Sequence, residues 1–293
     1  MTMQDRPRRS VLYMPGSRPR ALEKARSLPA DALILDLEDA VAPAEKPAAR
    51  EMVAAALRAG GYGPRELVVR INALDTEWGP ADLAAACAAG ADAVLLPKVN
   101  GPDDLARAEA LMPAGADRPR LWAMMETPLG VLNAAAIAAA TPRLECMVIG
   151  TNDLAKDLGA RNRPDRMPLL PALATCLLAA RAHGLACIDG VYNAFRDPEG
   201  LRAECVQGRD MGFDGKTLIH PDQLAIANEV FAPSAEELEE ARAQLVAWDA
   251  AQARGEGVAV WGGRIVERLH AEAARQLLAR AEAIRAREAA GAG

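Results

Sequence analysis

Aromatic residues are scarce: Phe, Tyr and Trp together make up 3% of the 293 residues. With 51% hydrophobic residues overall, the core must therefore be aliphatic and rich in alanine. Histidine occurs three times, never at metal-ligand spacing, which excludes a histidine-built zinc site. The five cysteines (Cys87, Cys146, Cys176, Cys187, Cys205) are odd in number, scattered and without a C-x-x-C pair. That excludes a disulfide framework and a thiolate zinc site, and reads as reduced, buried cysteine. No long apolar run is present, since the alanine-rich stretch 134–140 is too short to span a bilayer. The N-terminus carries arginines without an apolar segment, so a cytoplasmic protein is expected. Basic residues are outnumbered, 34 against 40, giving a net charge of −6 and a pI near 5.3. Neither general nucleic-acid binding nor attraction to an anionic membrane fits that balance.

What is present is a regular alternation of short apolar runs and alanine-rich helical stretches. Strand-like stretches begin at Val11, Ala32, Glu66, Ala93, Arg120, Cys146, Ala186 and Gly212. Eight strands alternating with helices over some 210 residues predict a closed (β/α)8 barrel. A doubly wound open sheet is the alternative, but no G-x-G-x-x-G follows the first strand. The barrel is expected to occupy residues 1–233. Residues 234–293 form a C-terminal helical extension, read as one helix from Ala235 to Ala253, a glycine-rich loop at 255–263 and a second helix from Arg264. Such an extension is not needed to close a barrel, so it suggests a lid or an oligomer arm.

Charge concentrates where strands two to six end. Ala32–Val41 (ALILDLEDAV) places Asp36, Glu38 and Asp39 directly after a buried apolar run. Period-two geometry sends Asp36 and Glu38 to one face, with Asp39 as a helix cap beyond the strand. Buried carboxylates need a cation, a metal or a shared proton, which makes Asp36 and Glu38 candidate catalytic groups. The next strands end in Arg70, Lys98, Glu126 and Asp153, and in this architecture the C-terminal strand ends form the active-site mouth. Glu126 and Asp153 are candidate ligands for magnesium, which keeps water at its remaining positions, with manganese as a substitute. The turn Gly150-Thr151-Asn152 offers backbone N–H groups to a substrate carboxylate. Arg70 supplies a permanent charge for an oxyanion, or a salt bridge to Asp36 or Glu38. Lys98 reads as a counter-charge to Glu38, and Asp189 and Lys216 as network members.

The motifs RSVLYMPGSRP (9–19), LDLEDAV (35–41), KPAAR (46–50), RIN (70–72), LPKV (96–99), ETPLGV (126–131), GTNDL (150–154), DGVY (189–192), GFDGKTLIHPDQ (212–223) and FAPS (231–234) occur in order. Together they resemble the citrate lyase β-subunit-like CoA-ester lyases of the HpcH/HpaI aldolase superfamily, over essentially the whole chain. The resemblance implies a magnesium-dependent carbon–carbon lyase acting on a CoA thioester such as malyl-CoA or citramalyl-CoA, yielding acetyl-CoA and a 2-keto acid. On the matching positions, Glu126 and Asp153 hold the metal, Arg70 meets the thioester oxygen, and Arg18 and Lys24 meet the CoA phosphates. It also implies a homo-oligomer, a trimer or hexamer, whose C-terminal segment completes a neighbour's site with a carboxylate. Here that position is Glu267, where the family pattern carries aspartate, and the proline that follows is replaced by Leu269. The close alternative is hydrolysis of the malyl-CoA thioester on the same scaffold. A citryl-carrier-protein lyase β subunit is less favoured, because the chain reads I-H-P where that branch has I-N-P. A non-catalytic CoA-binding homologue is the remaining alternative.

Overall fold

The structure, a computed structural model, describes residues 6–113 and 118–291. They divide into two compact units, Arg8–Phe231 and a second from Ala232 onward that also takes Arg6 and Pro7.

The first unit is a closed barrel of eight parallel strands: β1 (Ser10–Pro15), β2 (Ala32–Asp36), β3 (Glu66–Arg70), β4 (Ala93–Leu96), β5 (Arg120–Met125), β6 (Leu144–Ile149), β7 (Ala186–Asp189) and β8 (Gly215–Leu218). The strands pair in sequence order, and β1 closes on β8 through Ser10 opposite Lys216. Each strand is buried on both faces, which is why the sequence shows unbroken apolar runs rather than alternation. Val11, Ile34, Val68, Leu95, Trp122, Met124, Val148 and Ile188 fill the barrel interior. Leu33, Leu35, Val69, Val94, Leu121 and Met147 face outward into the larger cluster under the helices.

Those helices are α1 (Pro19–Ala25), α2 (Lys46–Ala59), α3 (Gly79–Ala89), α4 (Pro102–Leu111), α5 (Pro128–Leu132), α6 (Ala134–Ala138), α7 (Thr151–Asp157), α8 (Leu170–Ala182), α9 (Pro198–Met211) and α10 (Leu224–Val230). Proline stands in the first turn of seven of them (α1–α5, α8, α9), where its missing N–H costs nothing. Two helical stretches that read as continuous in the sequence are each divided, α5 from α6 and α7 from α8. At the base of the barrel, Arg8 donates to both oxygens of Glu66 at 2.7 and 2.8 Å, donates to Glu145 at 2.8 Å and lies 5.2 Å from the Trp122 ring centroid.

The second unit contains α11 (Ala235–Ala253), begun by a capping box in which Ser234 and Glu237 satisfy each other's backbone N–H groups. The helix expected to start at Arg264 is instead preceded by a hairpin, β9 (Ala259–Trp261) and β10 (Arg264–Val266), and α12 runs from Arg268 to Gly291. Gly262 and Gly263 both have positive φ, 55° and 75°, the requirement of a two-residue hairpin turn. Trp248, Ala251, Ala259, Val266 and Ala271 form the small core of this unit. Among the described residues, no helix is long and apolar enough to cross a membrane.

Outside the barrel wall, Asp189 and Lys216 are fully buried and 3.2 Å apart. Arg166, held at φ 53°, donates to Asp189 at 2.7 Å, and Lys216 also reaches Glu204 at 2.6 Å. Burial alone would raise the Asp189 carboxyl, but Lys216 and Arg166 outweigh it and hold the group below the ordinary carboxylate range. Its stabilising effect is therefore complete above that ordinary range and lost as pH falls through the lowered value. Asp189→Asn leaves two buried cations short of a counter-charge and is expected to cost about 3–5 kcal/mol at pH 7, measured by urea unfolding. The gap to wild type should narrow at acid pH; a cost below about 1 kcal/mol at neutrality would contradict the network's role.

Candidate active site at the barrel mouth

Asp36 is the last residue of β2 and lies opposite Arg70, the last residue of β3. The two meet in a fork: Arg70 Nε and Nη2 each donate to one Asp36 oxygen at 2.7 Å. Asp36 also accepts the backbone N–H groups of Glu38 at 2.9 Å and Ala40 at 3.1 Å. Four donors saturate a carboxylate, so Asp36 holds Arg70 and has no lone pair left to act as a base. The expected catalytic role of Asp36 is thereby narrowed to positioning.

Arg70 Nη1 reaches Glu38 Oε2 at 2.8 Å, an ion contact without hydrogen-bond alignment, and Asp39 Oδ2 at 3.2 Å. Asp39, expected to cap a helix, instead turns toward the arginine, because β2 ends at Asp36 and strict alternation stops there. Lys98 Nζ pairs with Glu38 Oε1 at 2.7 Å, the counter-charge that the strand-end pattern anticipates. Burial raises the Glu38 carboxyl, while Arg70 and Lys98 pull it down.

Lys98 and Glu126 stand just beyond β4 and β5. Lys98 is one of two non-glycine residues with positive φ among the described residues, at 50°. That costly conformation aims its N–H at Glu126 Oε1, 2.9 Å away. Glu126 is 1% exposed, and its other oxygen, Oε2, is buried with no hydrogen-bond partner. Burial pushes the Glu126 carboxyl up to about 7 against the pull of Lys98. A buried carboxylate oxygen without a donor is the feature a hard dication satisfies.

Asp153 does not end a strand as expected. β6 stops at Ile149, Gly150 turns the chain, and Asp153 lies in the first turn of α7, half-buried. Gly150 packs directly on Glu126: a Cβ there would sit 2.4 Å from Glu126 Cβ and 2.6 Å from Oε2. This contact ties the turn carrying Thr151, Asn152 and Asp153 to the buried carboxylate. Gly150 and Thr151 are buried, whereas Asn152 is exposed and paired with Asn193 through its side chain at 2.7 Å. Among the described residues no group of three or more His, Cys, Asp or Glu gathers as a metal site. Of the two expected ligands, Glu126 offers a buried oxygen without a hydrogen-bond partner, and Asp153 stands on the turn whose Gly150 packs against Glu126. Two carboxylates would suit a magnesium ion that keeps waters better than a fully protein-caged metal.

Arg18 and Lys24 are exposed at the two ends of α1, after β1. Glu267 is exposed in the second unit, immediately before α12, where its backbone N–H donates to His270.

Two neighbours were not singled out as site residues. Lys46, buried at the start of α2, donates to Asn72 Oδ1 at 2.5 Å and to the carbonyls of Leu37 and Glu38 at 3.0 and 2.8 Å. It clamps the backbone on which Glu38 stands, and its signal was the K-P-A-A-R motif. Tyr13, on β1, lies with its ring centroid 5.0 Å from the Arg70 guanidinium carbon. The shortage of aromatics was the only hint that a tyrosine on a strand facing this mouth had a use.

A closed (β/α)8 barrel with charged side chains at its C-terminal strand ends is the architecture in which enzymes place their active site at the mouth. The match of residues 9–221 to the HpcH/HpaI aldolase/citrate lyase model places this chain in that family. (3S)-Malyl-CoA thioesterases from four strains of Cereibacter sphaeroides are 59–62% identical over 286 residues, 98% of this chain and 99% of theirs. An L-malyl-CoA/β-methylmalyl-CoA lyase of the same species is 36% identical, covering 96% of both chains. CitE from Mycobacterium tuberculosis, solved with magnesium, acetoacetate and coenzyme A, is 33% identical with a TM-score of 0.75, covering 94% of this chain and 98% of that one.

These identities correct the expectation of a carbon–carbon lyase, since the thioesterases are far more similar than the lyase. The strand-end charges alone do not separate C–C from C–S chemistry.

Gly150→Ala forces its methyl group into Glu126. We expect a loss of about 1–3 kcal/mol in stability, the range for overpacking, together with weakened binding of Mg2+ by calorimetry. Wild-type metal affinity in this variant would show that the turn does not position Glu126.

Proposed function

We propose that this protein is a hydrolase of a malyl-CoA-type thioester, releasing free coenzyme A and a hydroxy-dicarboxylate. The observation that carries the reading is the 59–62% identity to (3S)-malyl-CoA thioesterases across nearly the full chain. The mouth supports it, since a fixed guanidinium and a buried carboxylate with one free oxygen suit an anionic acyl group.

Glu126 and Asp153 hold a magnesium ion, a reading supported by the magnesium in the related CitE complex. When bound, the ion supplies Lewis-acid charge for the carboxylate and hydroxyl oxygens of the acyl group. The backbone of Gly150, Thr151 and Asn152 receives the acyl carboxylate, and Arg18 and Lys24 meet the CoA phosphates. Arg70, unable to lose its proton, faces the thioester oxygen and stabilises the negative charge that develops there. A water oxygen bonds to the thioester carbon, and its proton passes to Glu267 from a neighbouring copy of the chain. The C–S bond then breaks, and the CoA thiolate takes the proton held by Glu267. The carboxylic acid formed at the former thioester carbon loses its remaining proton to solvent and leaves as a carboxylate. The active form is accordingly a homo-oligomer, a trimer or a hexamer.

Purified protein with malyl-CoA and Mg2+ is expected to release thiol and malate in equal amounts, and chelation of the metal should stop the release. Acetyl-CoA with glyoxylate, or no turnover at all, would overturn the reading.

A further inference from the structure

On β1, a tyrosine whose ring lies against Arg70 carries a hydroxyl with only a weak partner across the barrel. Tyr13 alternates inward with Val11 on β1 and packs against the interior cluster. Its ring is only partly covered, so it meets the open mouth rather than lying sealed within the barrel. One face of the ring supports the Arg70 guanidinium at 5.0 Å, a cation–π contact that fixes the ring as well as the arginine. The hydroxyl has a single hydrogen-bond contact, 3.6 Å to the sulfur of Met124. A thioether is a weak acceptor, so the hydroxyl keeps its capacity for a stronger one.

The position of Met124 places that hydroxyl. Its Cε lies 3.1 Å from where a Gly150 Cβ would stand, and the same point lies 2.6 Å from Glu126 Oε2. The Tyr13 hydroxyl thus points toward the Gly150–Glu126 side of the lumen while its ring lies against Arg70. Burial, with Asp36, Glu126 and Glu38 nearby, raises the phenol well above its ordinary value even against the pull of Arg70. The shift favours the neutral phenol, the form that donates a hydrogen bond.

We propose that Tyr13 is a catalytic residue whose hydroxyl exchanges its contact with the Met124 sulfur for a hydrogen bond to the thioester oxygen. It acts beside Arg70 as a second donor to the oxyanion. This rests on the hydrolase reading above. The exchange favours the transition state more than the substrate, because a charged oxygen is a far better acceptor than either a thioether or a neutral carbonyl. No proton is transferred: Tyr13 donates, Arg70 supplies charge, and the water proton leaves by the other route.

Tyr13→Phe keeps the ring on Arg70 and removes only the hydroxyl. With malyl-CoA and Mg2+, we expect kcat to fall about 100-fold, the size of losing one oxyanion donor, with KM within about threefold of wild type. The thermal unfolding midpoint should stay unchanged, which a merely structural hydroxyl losing a partner would not explain alongside that kcat loss. Wild-type kcat in Tyr13→Phe, or a loss confined to KM, would overturn the proposal while leaving the hydrolase reading intact. Absence of thioester hydrolysis by the wild-type protein in the same assay would overturn both.

Discussion

The mouth depends on one buried ion pair, the fork between Asp36 and Arg70. Taking two charges out of water is expensive, and only near-ideal geometry with every remaining lone pair satisfied repays it. That condition is met, because Asp36 takes two hydrogen bonds from the guanidinium and two from its own downstream backbone. Adjacent parallel strands supply the alignment, with Asp36 and Arg70 in register at the two strand ends. A side chain as long as arginine would otherwise sample many rotamers; here it is confined before any substrate arrives.

Around this pair the charges are shared unevenly, and the imbalance defines the site. Glu38 is held by two cations, Arg70 and Lys98, and Lys46 fixes the carbonyls beneath it. Glu126 receives one backbone N–H on one oxygen, with the Lys98 ammonium 3.8 Å away, and no hydrogen bond on the other. Tyr13, with a thioether as its hydroxyl's partner, lies with its ring against Arg70. The groups already saturated serve as scaffold, and those left short of partners are the ones with capacity for a metal and a substrate.

Much of this was legible in the chain. A buried strand reads as an unbroken apolar run, so the eight strands and the barrel followed from periodicity. A charged residue directly after such a run has nowhere to go but the mouth, which made Arg70 and Glu126 visible. Asp153 was visible as a residue but not in place, because a strand that ends at Ile149 and one that ends at Asp153 differ only in the turn at Gly150. Asp36 and Glu38 looked alike in the sequence, and only the count of donors around each separates the saturated carboxylate from the shared one. Tyr13 and Lys46 were not legible as site residues, since their use arises from strands and helices remote in sequence. The β9–β10 hairpin was hidden for a related reason: strands of three residues carry too little periodicity, and only Gly262-Gly263 betrays the turn. The class of reaction was the least legible feature, because strand-end charges by themselves do not distinguish one bond from the other.

The central claim is that Asp36 acts on the reaction only by holding Arg70. A double-mutant cycle on kcat/KM, with Asp36→Asn, Arg70→Lys and the double variant, tests it most directly. Strong non-additivity is expected, with the double variant no more than about twofold slower than Arg70→Lys, a coupling comparable to the loss from Asp36→Asn itself. Losses that simply multiply would show that Asp36 works independently of the arginine, and would contradict the claim.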